Sequence, residues 1–149
     1  MATTILTAPQ YDPRREKRKK QIIAAIILVV LGIAALGYAF RNWPEERIVD
    51  KFFTALEHKD YKQAYGIWLH DPSWQQHPQN YPNYPFNEFY QDWGPGGEWG
   101  IIRSFHIDGS ANPKHASGVV VVVTVNERVA DKARIWVEKS DKTLTFSPY

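Results

Sequence analysis

Ile48 to Leu69, IVDKFFTALEHKDYKQAYGIWL, reads as two helices meeting at a tight corner. Ile48, Val49, Phe52, Phe53 and Leu56 recur at the spacing of one helical face, and Tyr61, Ala64, Tyr65 and Trp68 resume that spacing after His58-Lys59-Asp60. Asp60 is placed to cap the second helix, because its carboxylate can accept one of the free amides of the first turn. Upstream, Asn42-Trp43-Pro44-Glu45 has the form of a helix start, with Asn42 as cap and Pro44 in the first turn.

Downstream, Asp71 to Pro85 carries four prolines among Gln, Asn and aromatic residues, so neither helix nor strand can continue and a loop is expected. Phe86 to Trp93 then sets Phe86, Phe89, Tyr90 and Trp93 on one side of a short helix, which Gly94-Pro95-Gly96-Gly97 ends. Four antiparallel strands are expected at 101–108, 118–126, 132–139 and 142–146. The unbroken valines of the second suggest burial on both faces, and Ser140-Asp141 suits a short hairpin turn. Helices first and strands afterwards give an α+β class, with helices packed on one face of an antiparallel sheet.

The other decisive stretch is Ile22 to Phe40, IIAAIILVVLGIAALGYAF, which carries no charge. At ~1.5 Å per residue it spans ~28 Å, close to the hydrocarbon thickness of a bilayer. Six cations (Arg14, Arg15, Lys17, Arg18, Lys19 and Lys20) precede it against Asp12 and Glu16, whereas residues 41–149 have a net charge of −2. The chain's overall +2 therefore describes a basic tail and not a basic domain. A basic strip can serve nucleic acid, but one lying against an apolar span is better explained as the cytoplasmic anchor of a membrane helix. The expected organisation is a basic cytoplasmic tail at 1–21, largely disordered, a transmembrane helix at 22–40, and an exported α+β domain at 41–149 lying close to the bilayer. The bilayer is then one partner and nucleic acid is not. Gly37-Tyr38-Ala39 formally matches a signal-cleavage site, but the apolar stretch is longer than the ~7–15 residues of a signal peptide. No cysteine is present, which excludes disulfides, thiol catalysis and thiolate metal sites.

The segment VDKFFTALEHKDYKQAYGIW resembles the opening helical pair of the nuclear-transport-factor-2-like superfamily at Phe52, Phe53, Leu56, Asp60, Tyr61, Ala64 and Tyr65. The resemblance implies that the antiparallel sheet is curved, its concave face and the helices enclosing a pocket, which some members use catalytically and many only for binding. The family usually has more strands than the four expected here.

An enzyme of that shape needs an acid or base inside it. His106 and Asp108 share one face of the first expected strand and form a plausible proton-transfer pair if that face lines the cavity. Tyr65 could donate to a ligand oxyanion. The alternative for the pair is a solvated strand face, and for Tyr65 a core ring with its hydroxyl satisfied. Arg103 and Arg134 match the geometry of an anionic ligand, although strand arginines usually face solvent. His70, Asp71 and His77 follow no common metal-ligand spacing, so no metal site is assigned, and no cofactor motif is present. Most rings around the loop are expected in the core, leaving Trp74, Tyr81 and Tyr84, flanked by polar residues and prolines, as exposed contact candidates. The first expectation is a binding domain without catalysis, acting on a small ligand or protein partner. The competing readings are a proton-transfer enzyme and an accessory subunit of a membrane complex.

Overall fold

The computed structural model describes residues 13–149, which fall into two units that divide between Arg41 and Asn42. In the first unit a single helix, α1 (Pro13–Ala39), is exposed along its length and buries none of its residues. It begins at Pro13, well before Ile22, so the basic residues from Arg14 onward are helical and not part of a disordered tail. Lys, Arg, Glu and Gln all favour helix, and Pro13 tolerates the first position, which lets the apolar helix extend through the polar segment. Residues 1–12 of the expected tail lie outside the described residues.

The second unit is α+β. Helices α2 (Trp43–Glu57), α3 (Tyr61–Leu69) and α4 (Phe86–Trp93) precede strands β1 (Phe105–Ala111), β2 (Gly118–Val125), β3 (Ala133–Glu138) and β4 (Leu144–Phe146). The sheet is an antiparallel meander in the order β1-β2-β3-β4. Asp60 caps α3 as expected, its Oδ1 accepting from the Gln63 amide at 3.0 Å. His70 ends that helix in the left-handed region at φ 53°, and its amide donates back to Ile67.

Asn42 does not cap α2 with its side chain. Its amide donates instead to Ser110 Oγ at 3.0 Å, and its carbonyl oxygen accepts from Asn112 at 3.1 Å. Ser110 Oγ in turn donates to Glu46 Oε1 at 2.6 Å. A tertiary polar network thus replaces the local cap. Beside it Glu45 is buried, its Oε1 2.7 Å from Lys142 Nζ, which ties the start of α2 to the β3–β4 hairpin.

The first strand begins later than its apolar pattern implies and runs through Gly109. A bulge between Ile107 and Gly109 shifts the register, and Gly109 takes φ 149°, a conformation open to glycine. The valines of β2 are buried on both faces in its first half, where Val120 on the outer face is 6% exposed, and divide by face further along. Val119, Val121, Val123 and Val125 are completely buried against the helices, whereas Val122 and Thr124 on the other face are only half-buried. On that outer face Gly118 is held close beneath the indole of Trp136, whose ring also meets Tyr149 at 5.6 Å.

Candidate functional site

The space between the helices and the inner sheet face is filled with rings. Phe52 meets Phe53, Trp68 and Trp93 edge-on or tilted at centroid distances of 5.0–5.3 Å. Phe53 stacks on Phe105 at 5.5 Å, and Phe89 meets both Tyr65 and Trp68. Such edge-to-face and offset arrangements satisfy the ring quadrupoles, adding to the burial of apolar area. Tyr65 belongs to this cluster. Its hydroxyl donates to the Tyr84 carbonyl oxygen at 2.6 Å, and burial raises its pKa. A hydroxyl already bonded in a closed core is not placed to meet a substrate oxyanion.

His106 and Asp108 lie on the outer sheet face, away from the helices, and both are exposed. Asp108 accepts from Thr124 Oγ1 at 2.7 Å and lies 3.3 Å from Lys132 Nζ. The Thr124 hydrogen bond, then Lys132 and the nearby His106, lower its pKa. The structure brings the two residues together, but on the solvated face and not around a cavity. Arg103 and Arg134 are exposed as well, on separate segments. The Arg103 amide is held by Asn126 Oδ1 at 2.8 Å, a contact of backbone and not of guanidinium.

The loop from His70 to Pro85 is more ordered than its composition suggests. It contains two short 3-10 turns, Trp74–Gln76 and Pro78–Asn80. Asp71 organises it. Its Oδ1 accepts from the Ser73 amide and hydroxyl, both at 2.9 Å, and its Oδ2 accepts from the Tyr81 hydroxyl and lies 2.7 Å from His77 Nε2. These hydrogen bonds, Tyr81 foremost, hold the Asp71 carboxyl far below the usual carboxylate range, and the same bond pushes Tyr81 up to about 12. Asp71 and His77 therefore meet as partners in a loop staple. Among the described residues no three His, Cys, Asp or Glu side chains converge as a metal site.

The three expected contact rings are less free than their sequence neighbours suggest. Trp74 is buried, its indole donating to the Lys62 carbonyl at 3.1 Å and its ring edge-on to Tyr65 at 4.7 Å. It approaches α3 at Gly66, where a Cβ would sit 3.3 Å from the indole. Tyr81 and Tyr84 are half-buried with hydroxyls committed to Asp71 and Asp92. Burial, followed by the Asp92 bond, raises the Tyr84 pKa strongly.

One of the openings among the described residues is an external groove of about 640 Å³ along α2 and α3, where Ile48, Ile67, Pro72 and Trp74 lie among Lys51, Lys62, Asp60 and His70. Only Trp74 of the expected contact residues lines it. Lys51 and Lys62 escaped the sequence reading because solvent-facing lysines on a helix carry no signal of their own. No family model, curated protein or solved structure matches the chain.

Proposed function

We propose that this chain is a single-pass membrane protein, its N-terminus cytoplasmic, whose extracytoplasmic α+β domain binds a partner without catalysing a reaction. The observation that carries the reading is α1: long, apolar over its C-terminal two thirds, and with none of its residues buried. Nineteen uncharged residues left uncovered need another apolar medium, and the cations at one end favour retention of that end in the cytoplasm. The binding half of the proposal is supported by the ring-packed interior, where Phe52, Trp68 and Trp93 are buried in mutual contact. The α2–α3 groove is the surface offered, its apolar floor suited to a partner side chain and its two lysines to an acidic group beside it.

Reporter fusions at each terminus test the topology. The expected result is a cytoplasmic reporter active only at the N-terminus and an export-dependent reporter active only at the C-terminus; the reverse, or a soluble full-length chain, overturns it. A photocrosslinking residue at Gln63, inside the groove, tests binding. A discrete adduct that disappears when Lys51 and Lys62 are both changed to Glu supports the groove and its lysines, an adduct unaffected by that change removes the role of the lysines, and no adduct overturns the groove.

A further inference from the structure

The helical state of the basic segment has a geometric consequence. Lys17, Arg18, Lys19 and Lys20 are consecutive residues of α1, all exposed. At ~100° of rotation per residue they point in four directions around the helix and form a collar, not a stripe. The collar begins about 3 Å and ends about 8 Å below Ile22 at ~1.5 Å rise per residue, within the ~5–7 Å headgroup layer or at its edge. Arg14 and Arg15 lie one turn further out. Between Arg14 and Lys20 the single carboxylate is Glu16, bridged to Lys20 at 3.1 Å, so cations outnumber it six to one there, with Asp12 two positions ahead.

We infer that this collar is a binding surface for anionic phospholipid headgroups, and that the chain gathers such lipids around the cytoplasmic end of its span. The inference rests on the membrane-spanning reading above. Charge complementarity argues it, since each cation sits within about one Debye length (~8 Å at physiological salt) of the phosphate plane. Radial placement argues it further. Cations on all sides disfavour close packing of a second copy at this level and leave lipid as the neighbour in every direction. Lysine and arginine stems also reach along the apolar surface while their heads stay at the interface.

The full chain contains no cysteine, so Gln21→Cys supplies a unique fluorophore site next to the collar. The labelled protein is reconstituted in phosphatidylcholine vesicles with about one lipid in three phosphatidylglycerol, a composition giving a negative surface potential. Either the anionic or the zwitterionic lipid carries bromine on its acyl chain, at matched fraction. The expected result is quenching about twofold stronger from the brominated anionic lipid, falling to parity at about 0.5 M salt, where screening shortens to a few ångströms. The preference should also be lost when Lys17, Arg18, Lys19 and Lys20 are all changed to Gln. Equal quenching by both lipids in the unsubstituted collar overturns the inference and leaves the span intact. Absence of quenching by either lipid overturns the span as well. Loss of the preference on adding substoichiometric duplex RNA would reassign the collar to nucleic acid.

Discussion

Tyr81 donates its hydroxyl to Asp71, a residue ten positions earlier at the start of the same loop, and the carboxylate oxygen that receives it also lies 2.7 Å from His77 Nε2. One side chain thereby closes a proline-rich segment in place of regular secondary structure. Charge-assisted hydrogen bonds of this kind are stronger than neutral ones, and a loop of this length would otherwise lose much of its order. Tyr81→Phe should leave the fold intact and speed hydrogen exchange of the hydrogen-bonded loop amides of Gln76, His77, Asn80 and Tyr81 by roughly tenfold. Asp71→Asn, which removes the charge shared by all four bonds, should have the larger effect. Unchanged exchange in both variants would show that the prolines alone order the segment.

The same pair sets opposite pH limits. The Asp71 carboxyl is depressed in the folded chain, so its contribution is present above the ordinary aspartate pKa of ~3.9 and is lost as pH falls below it toward the folded value. Tyr81 is raised to about 12, so its contribution is present below the ordinary tyrosine value near 10 and is lost as pH climbs through 10 to 12. Thermal midpoints measured across pH should decline at both ends. In Tyr81→Phe the alkaline decline should be shallower, and the acid decline, still beginning near the ordinary aspartate value, should be smaller and level off at higher pH because Asp71 has lost its strongest hydrogen bond.

Trp93 is buried to 2% exposure and touches Phe52, Phe53 and Trp68. Truncation to alanine should cost about 3–5 kcal/mol in denaturant unfolding, the range for large aromatic deletions from a core. Trp99→Ala, nearer the surface, should cost less because its neighbourhood can relax and take up water. A loss below about 1 kcal/mol for Trp93→Ala would indicate that the ring cluster is loosely packed.

Glu45 and Lys142 form the tie between α2 and the β3–β4 hairpin, and Glu45 Oε2 has no hydrogen-bond partner among the described residues. Lys142→Met should destabilise by about 1–3 kcal/mol, below the full penalty of a stranded buried charge because the lysine is one-third exposed. Adding Glu45→Gln should recover part of that loss, since the amide carries no charge to strand. Urea titrations of the single and double variants form the required cycle. An additive double variant would mean the pair contributes no coupling.

How much of this was legible in the sequence depends on whether a residue's partners were local. Phe86 to Trp93 was readable because its rings repeat at helical spacing and glycine ends it, and the Asp60 cap was readable because its partner lies three residues away. The end of β1 was misplaced because Gly109 reads as a turn, whereas the strand accommodates it through a bulge. Asn42 and Glu45 look like capping residues, but their partners, Ser110, Asn112 and Lys142, lie far along the chain. The Asp71 staple has spacings of two, six and ten that match no recurrent motif. Tyr81 and Tyr84 were expected exposed because flanking prolines and polar residues reveal nothing of what the hydroxyls meet. Of the residues lining the α2–α3 groove, Trp74 alone was an expected contact residue, and its indole donates to the Lys62 carbonyl.

Trp68 and Trp93 hold their indoles 5.6 Å apart at a fixed tilt of 57°. Two chromophores so close should couple their electronic transitions, and a bisignate circular-dichroism band is the expected outcome. The domain thus carries an optical gauge of its own tertiary packing, readable without any added dye. That band should vanish when the core loosens, even while the helical and sheet backbone signals persist.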